Sequence, residues 1–111
     1  MSDTGPASLS IQESSDLDGF IRLKLGGELD LATVVTLEHR LNELARARSS
    51  VLLDLSELQF LDSTGLRLII TAVTDARQNG WSLKLARELS PPVRRVLELI
   101  QIDGLLWPGE S

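Results

Sequence analysis

Cysteine is absent from the sequence, and histidine occurs only once, as His39. Without cysteine, the chain has no disulfide framework, no thiolate nucleophile and no zinc–cysteine site. This composition fits a reducing compartment, and the N-terminus lacks the features of a signal peptide, so we expect a cytoplasmic protein. His39 follows Glu38 and precedes Arg40 on the polar side of a helical pattern, which predicts a solvated surface residue.

Catalytic, metal and cofactor motifs are missing as well. A Ser-His-Asp arrangement would require His39 to reach Ser63 from the outside of another helix, and we therefore reject it. The sequence has neither clustered histidines nor an aspartate-rich loop with calcium-ligand spacing. The Gly26-Gly27 pair lacks the spacing of a dinucleotide-binding or P-loop fingerprint, and a bulge or a close-packing point is the better interpretation. We expect no enzyme activity, no catalytic residue, no metal and no cofactor.

The chain also lacks an excess of basic residues and a long apolar run. Lysine and arginine number 11 against 16 aspartates and glutamates, which gives a net charge of −5. An acidic chain has no electrostatic attraction for a phosphate backbone, so we expect no direct nucleic-acid binding. No apolar run approaches the ~20 residues of a membrane-spanning helix, so we expect no membrane insertion.

The residues that are present form the pattern of a small α/β domain. Alternating apolar residues on both sides of a turn cluster at 14–19 predict an antiparallel hairpin, whose second strand we expect to break at Gly26-Gly27. The nearly continuous apolar run Val51–Leu55 is typical of a strand covered on both faces of a parallel sheet. Three amphipathic segments predict helices. The residues expected to cap these helices are Asp30, one of Asp62, Ser63 and Thr64, and Ser90. Asn79-Gly80 is expected to end the second helix in a left-handed cap.

The predicted element order is β-β-α-β-α-β-α, an α/β fold with a mixed, mostly parallel sheet, an N-terminal antiparallel hairpin and helices packed on it. We expect one domain over residues 8–108, with a flexible N-terminal tail at 1–7 and a C-terminal tail at 109–111. The apolar segment 105–108 is either a short last strand or a packed tail.

Two acidic loop segments are predicted to lie at the same edge of this sheet. Asp30 and the segment Asp62–Gly65 each follow a predicted strand and precede a helix. Parallel strands end at one edge, where open α/β folds usually place their sites. Judged by spacing alone, Asp-Ser-Thr is an ordinary capped helix start. Gly65 is less ordinary, because glycine in a first helical turn costs about 1 kcal/mol against alanine. We interpret it as bare backbone that another molecule can approach closely.

The central motif resembles that of a known family. Leu53-Asp54-Leu55-Ser56, followed after four residues by Leu61-Asp62-Ser63-Thr64-Gly65-Leu66, looks like the hallmark stretch of STAS domains, the anti-sigma factor antagonist family. Gly27-Glu28-Leu29-Asp30 resembles the exit of the family's second strand, and the helix at 93–102 followed by Asp103-Gly104-Leu105 resembles its C-terminal end. The resemblance covers residues 8–108 and implies a STAS-like fold.

The resemblance also implies a function and a set of partners. In this family, the serine after the aspartate accepts phosphate from the cognate anti-sigma factor, an ATP-dependent serine kinase, and a PP2C-type phosphatase removes it. The unphosphorylated antagonist binds the anti-sigma factor and frees the sigma factor, whereas the phosphorylated antagonist does not bind. Ser63 would be the phosphoacceptor, with Thr64 beside it as a second hydroxyl. The implied partner-binding residues are Asp30, Asp62, Ser63, Thr64, Gly65 and Arg67.

Arg67 departs from the family pattern, because many members carry a small residue at that position. Ser63 and Arg67 are separated by four residues, so a helix brings them close enough to pair, and the cation would partly neutralise a phosphate. An alternative function is that of an accessory subunit of an ABC-type membrane transporter. In that case, the same edge of the sheet would dock the transporter's ATPase subunit without a phosphorylation cycle.

Overall fold

The computed structural model describes residues 8–100 and Leu106. The tails predicted at 1–7 and 109–111 lie outside the described residues, as does the segment 105–108 apart from Leu106, which is helical and buried. None of the helices in the described part of the chain is both long and apolar enough to cross a membrane.

Within residues 8–100, strands and helices alternate in the predicted order. The sheet has the strand order β1-β2-β3-β4; β1 pairs antiparallel with β2, and the other neighbours pair parallel. The predicted mixed sheet with an N-terminal hairpin is therefore confirmed. In chain order the elements are β1 (Leu9–Ser15), β2 (Ile21–Leu29), α1 (Val34–Arg46), β3 (Ser50–Leu61), α2 (Ser63–Asn79), β4 (Ser82–Leu89) and α3 (Pro91–Ile100).

Two strands run further than predicted. Gly26-Gly27 does not break β2, which continues to Leu29 with irregular register against β3 on both sides of the glycine pair. This irregularity is the expected bulge, and Gly27 takes a left-handed φ of 85° within it. Because β2 continues, β3 also pairs beyond its apolar run and ends at Leu61 instead of Leu55.

One of the three helix starts differs from its prediction, whereas α3 begins at Pro91, directly after Ser90, as predicted. Helix α1 begins at Val34 with Thr33 as its N-cap residue, so Asp30 is not the N-cap. The Ser90 hydroxyl donates to the carbonyl of Leu58 in β3, so this side chain ties the start of α3 to the sheet. Helix α2 begins as predicted, because the Asp62 side chain accepts a hydrogen bond from the Gly65 N–H at 2.9 Å. Its C-terminal end is the predicted left-handed cap at Gly80.

The core lies between the sheet and the helices and consists mainly of leucine, isoleucine and valine. Alternate residues of β2 and most of the predicted central strand β3 are buried, which confirms that β3 is covered on both faces. Asp54 is a charged exception in β3. Its carboxylate is buried and pairs with the Arg22 guanidinium at 2.7 Å, and it accepts from the Ser56 N–H at 2.9 Å. Burial of this charge is thus compensated by a counter-ion and a hydrogen bond.

Candidate functional site

Two loops meet at the carboxyl edge of the parallel strands. Leu29 and Leu61 are paired residues of β2 and β3, so Asp30 and Asp62 leave neighbouring strands at the same level. The N–H of Asp62 also donates to the Leu29 carbonyl at 3.2 Å, which continues the ladder past the last pair. The two acidic residues therefore lie on one edge, as the parallel pairing requires.

Asp62 joins the two loops through its side chain. One carboxylate oxygen accepts from the Gly65 N–H at 2.9 Å, and the other accepts from the Leu31 N–H at 3.2 Å. The first bond caps α2, and the second holds the loop after β2 against the start of α2. Both oxygens of Asp62 thus have partners within the domain, and this residue positions the site.

Asp30 organises its own loop. Its carboxylate accepts from the Ala32 and Thr33 N–H groups at 3.0 and 3.2 Å, which forms a turn ahead of α1. Thr33 is buried; its hydroxyl donates to the Glu28 carbonyl at 2.8 Å and accepts from the Asp30 N–H at 3.0 Å. The sequence analysis missed Thr33. The sequence did contain a signal for Thr33, because a threonine three residues after an aspartate can bond to the main chain of the same turn.

Ser63 is the first residue of α2 and is exposed to solvent. Together with Thr64 and Arg67 it lines an open cavity of about 150 Å³. Within residues 8–100 and Leu106, the Ser63 hydroxyl has no hydrogen-bond partner, whereas the carboxylate of neighbouring Asp62 has two. The Ser63 hydroxyl is therefore accessible to solvent at this edge.

A second cavity of about 220 Å³ lies in the groove between α1 and α2. Thr64 is half-buried and lines this groove, so the two adjacent hydroxyl residues differ in their accessibility. Arg67 lines both cavities, and in the described part of the chain its guanidinium forms neither an ion pair nor a hydrogen bond. The residues that line the groove are Val34, Glu38, Thr64, Arg67, Leu68 and Thr71.

Gly65 is buried, and its role differs from the one inferred from the sequence. A Cβ atom at this position would lie 2.7 Å from both the Cγ atom and the carbonyl oxygen of Leu29, and 3.0 Å from the Cδ1 atom of Leu61. The missing side chain lets β2, not another molecule, approach the helix. This corrects our interpretation of Gly65 as a point of approach for a partner.

Two exposed apolar residues lie in the loop after β2 and at the start of α1, and the sequence analysis did not identify them. Leu31 is 74% exposed and Val35 is 66% exposed, and the Leu31 N–H is the group bound by Asp62. An available signal was the adjacent pair Val34-Val35, because two neighbouring residues of a helix cannot both face the core. Among the described residues, the site therefore combines a hydroxyl and a guanidinium that have no partner with the exposed side chain of Leu31.

His39 lines neither of these two cavities. Its side chain is exposed on α1 and lies 3.7 Å from the Glu43 carboxylate, one turn along the same helix. The predicted solvated histidine is confirmed.

Comparison with known proteins identifies the family. A family model described as "Mlab, STAS domain" matches residues 14–107. The chain belongs to the STAS domain family. The anti-sigma-B factor antagonist of Staphylococcus aureus is 29% identical over 100 residues, which is 89% of this chain and 92% of that protein.

Solved structures share the fold of this STAS domain. An anti-sigma factor antagonist from Mycobacterium paratuberculosis superposes with a TM-score of 0.75 at 24% identity, covering 94% of this chain and 87% of that one. The Bacillus protein SpoIIAA in its phosphorylated form gives a TM-score of 0.66 at 18% identity, covering 86% and 87%. The predicted STAS-like fold is therefore confirmed.

The hallmark stretch of this STAS domain has two physically different parts. Asp54 is a buried residue whose carboxylate is compensated by Arg22, so this part of the motif serves the fold. The part that begins at Asp62 fixes the loop after β2, packs Gly65 against Leu29 and leaves Ser63 exposed.

Proposed function

We propose that this STAS domain is an anti-sigma factor antagonist controlled by phosphorylation of Ser63. In its unmodified form it binds an anti-sigma factor that is also a serine kinase, and the sigma factor is released. The kinase transfers the γ-phosphoryl group of ATP to the Ser63 Oγ atom, the hydroxyl proton leaves, and ADP is the second product. The phosphorylated domain no longer binds, and a PP2C-type phosphatase hydrolyses the ester to reset it. The chain itself acts as a binding partner and substrate, not as an enzyme.

The observation that carries this proposal is the exposed hydroxyl of Ser63, which has no partner among the described residues, beside two carboxylates that are both engaged. Asp62 is occupied by two main-chain N–H groups, and Asp30 is occupied by its own turn. Thr64 is half-buried beside the groove, so a kinase reaches Ser63 more easily. The relationship to the Staphylococcus aureus anti-sigma-B factor antagonist supports the same role.

Electrostatics and desolvation explain how phosphate would end binding. A phosphoserine adds about −1.5 to −2 charge at neutral pH. This charge would lie next to Asp62, whose carboxylate binds the N–H of the exposed residue Leu31, on a surface that a partner would bury. Leaving a charge buried and unpaired at an interface costs on the order of 2–5 kcal/mol, or roughly 30- to several-thousand-fold in affinity. A helix start tolerates phosphate in the free protein, so we expect the complex to be lost while the fold persists.

Titration calorimetry against the purified anti-sigma factor tests the proposal. Ser63→Ala is expected to bind like the unmodified protein and to resist phosphorylation, whereas phosphorylated protein binds weakly. Ser63→Asp is expected to bind weakly as well, because its carboxylate reproduces part of the added charge. Thr64→Val is the matched control, because it removes the neighbouring hydroxyl and leaves Ser63 available.

Equal affinity of unmodified and phosphorylated protein would overturn the switch. Mass spectrometry of protein from its native cells then decides whether phosphate is present on Ser63, on Thr64 or on neither. If neither is modified and a transporter ATPase co-purifies in place of a kinase, the accessory-subunit alternative replaces this proposal.

A further inference from the structure

Arg67 is an exposed cation one helical turn from Ser63. Both residues belong to α2, both line the cavity of about 150 Å³, and Arg67 has no ionic partner among the described residues. Two other arginines are engaged in ion pairs: Arg22 pairs with Asp54 at 2.7 Å, and Arg40 pairs with Glu13 at 2.6 Å. Arg67 is thus available for an anion that the unmodified domain does not contain.

Helix geometry directs Arg67 toward the Ser63 side chain. Residues four apart on a helix have Cβ atoms roughly 5–6 Å apart. Helical side chains lean toward the N-terminus, so the long Arg67 side chain covers the turn that begins with Ser63. A cavity of about 150 Å³ has the volume of several water molecules, since one water occupies roughly 30 Å³ of liquid. The space between the two residues is therefore open to a group attached to the Ser63 oxygen.

We propose that Arg67 is the intramolecular counter-ion of phosphorylated Ser63. In the unmodified domain Arg67 lines both the cavity at Ser63 and the groove that Glu38 lines, and its guanidinium has no partner among the described residues. A phosphate on Ser63 draws it to the first cavity, because guanidinium binds phosphate through two parallel N–H donors. The inference rests on the proposed phosphorylation of Ser63 and adds a regulatory consequence. Arg67 neutralises part of the added charge and thereby limits the loss of affinity that phosphorylation causes.

A titration of the phosphate itself tests this pairing without any partner. Phosphoserine is incorporated at position 63 of the full chain during translation, so no kinase is needed, and its second pKa is followed by ³¹P NMR. An exposed ion pair corresponds to a pKa change of about 0.2–0.7 units, so we expect Arg67→Ala to raise the phosphate pKa by that amount. In Arg67→Lys the phosphate pKa should lie between those of the wild type and Arg67→Ala. High salt should remove the difference in pKa between the wild type and Arg67→Ala.

The matched control is Arg46→Ala, which removes an exposed arginine from the last turn of α1. It is expected to leave the phosphate pKa unchanged. The charged residues that share the Ser63 region or its adjoining groove are Asp30, Glu38, Asp62 and Arg67. A phosphate pKa that is identical in wild type and Arg67→Ala overturns the inference.

A second measurement links the pair to regulation. For wild type and Arg67→Ala, the affinity for the anti-sigma factor is measured with serine and with phosphoserine at position 63. Within one variant, the ratio of the two affinities measures the effect of the phosphate, and a contact of Arg67 with the partner that is the same in both forms cancels. We expect this ratio to be larger in Arg67→Ala by about two- to fivefold, the change that an exposed ion pair supports.

The two proposals can fail separately. A phosphate pKa that depends on Arg67, together with equal affinities of the serine and phosphoserine forms, refutes the proposed function and keeps the pairing. The converse result is that phosphorylation weakens binding equally in the wild type and Arg67→Ala, with the same phosphate pKa in both. That result supports the function and refutes the pairing.

Discussion

The Asp62 carboxylate accepts a hydrogen bond from the Leu31 N–H at 3.2 Å, across the junction between two neighbouring strands. The loop after β2 and the start of α2 are thus one connected structure. Because the other oxygen of Asp62 caps α2 through the Gly65 N–H, a single side chain fixes both the exposed serine that follows it and the exposed leucine opposite. This connection makes Asp62 a positioning residue for the whole edge.

Asp62→Ala is expected to lower the free energy of unfolding. An N-cap contributes about 0.5–2 kcal/mol and an ordinary hydrogen bond about 0.5–1.5 kcal/mol, so we expect a loss of about 1–3 kcal/mol. Urea denaturation followed by circular dichroism measures it. Asp18→Ala, which removes the same charge from the exposed hairpin turn, should change the stability by less than about 0.5 kcal/mol. If both variants are equally stable, Asp62 does not hold the two loops together.

Leu31→Ser is expected to weaken partner binding without weakening the fold. The Leu31 side chain is 74% exposed, so the folded domain gains little from it. Burial of a leucine against a partner is worth about 1.5–3 kcal/mol, which corresponds to roughly 10- to 150-fold in affinity. Leu17→Ser is the control, because Leu17 is fully exposed in the hairpin turn at the opposite edge of the sheet. An equal loss of affinity in both variants would place the interface elsewhere.

Local patterns in the sequence predicted the elements whose physical causes are local. The apolar run Val51–Leu55 marked the central strand, and the segment from Asp62 to Gly80 carried both caps of α2. The continuation of β2 through Gly26-Gly27 was not predicted from the local pattern, because it depends on pairing with a strand about 30 residues further along the chain. Where a strand ends in a parallel sheet depends on how far its neighbour continues, and no local pattern contains that information.

The candidate site shows the same division between features that the sequence predicts and features that depend on another element of the fold. Its location at one edge, with Asp30 beside Asp62, followed from strand order and the ends of parallel strands. The role of Gly65 could not be predicted in this way, because the glycine allows the close approach of Leu29, which belongs to another element. Leu31 was also missed, since an apolar residue in a loop carries no signal of whether it packs inward or remains exposed.

Asp54 is expected to make the free energy of unfolding depend on pH under acidic conditions. Burial alone would raise the pKa of the Asp54 carboxyl, but hydrogen bonds from Ser56 and Arg22 and the Arg22 charge favour the ionised form and lower the pKa overall. A lowered pKa means that the ionised group stabilises the native state fully above its ordinary pKa near 4. This stabilisation is lost as the pH falls through the lowered pKa of the folded state.

The corresponding experiment compares wild type with Asp54→Asn in urea from about pH 7 to about pH 3. We expect the variant to be less stable at neutral pH and the difference to narrow as the pH falls below about 4. Glu57→Gln removes an exposed carboxylate from the same strand and should show a smaller change over this range. A difference that stays constant down to pH 3 would mean that ionisation of Asp54 does not contribute.

Gly65→Ala is expected to destabilise the domain, although alanine is the better helix former by about 1 kcal/mol. The new Cβ atom would lie 2.7 Å from the Leu29 carbonyl oxygen, and the main chain of a paired strand moves less readily than a side chain. Overpacking of this kind costs about 1–3 kcal/mol, so after the gain in helix propensity we expect a net loss of up to about 2 kcal/mol in urea denaturation. Helix α2 and strand β2 are pushed apart by the same contact, so binding of the partner should weaken as well.

A double-mutant cycle with Leu29→Ala tests the physical reason for this loss. Shortening Leu29 removes the Cγ contact but leaves the carbonyl contact, so Gly65→Ala should cost less in the Leu29→Ala background without becoming neutral. Gly19→Ala is the matched control, because a Cβ atom at Gly19 meets no atom within 4 Å and its cost comes only from the left-handed φ of 84°. That cost should be the same with leucine or alanine at position 29. If Gly65→Ala instead raises the stability, helix propensity outweighs the contact with β2, and Gly65 is explained by neither packing nor backbone conformation.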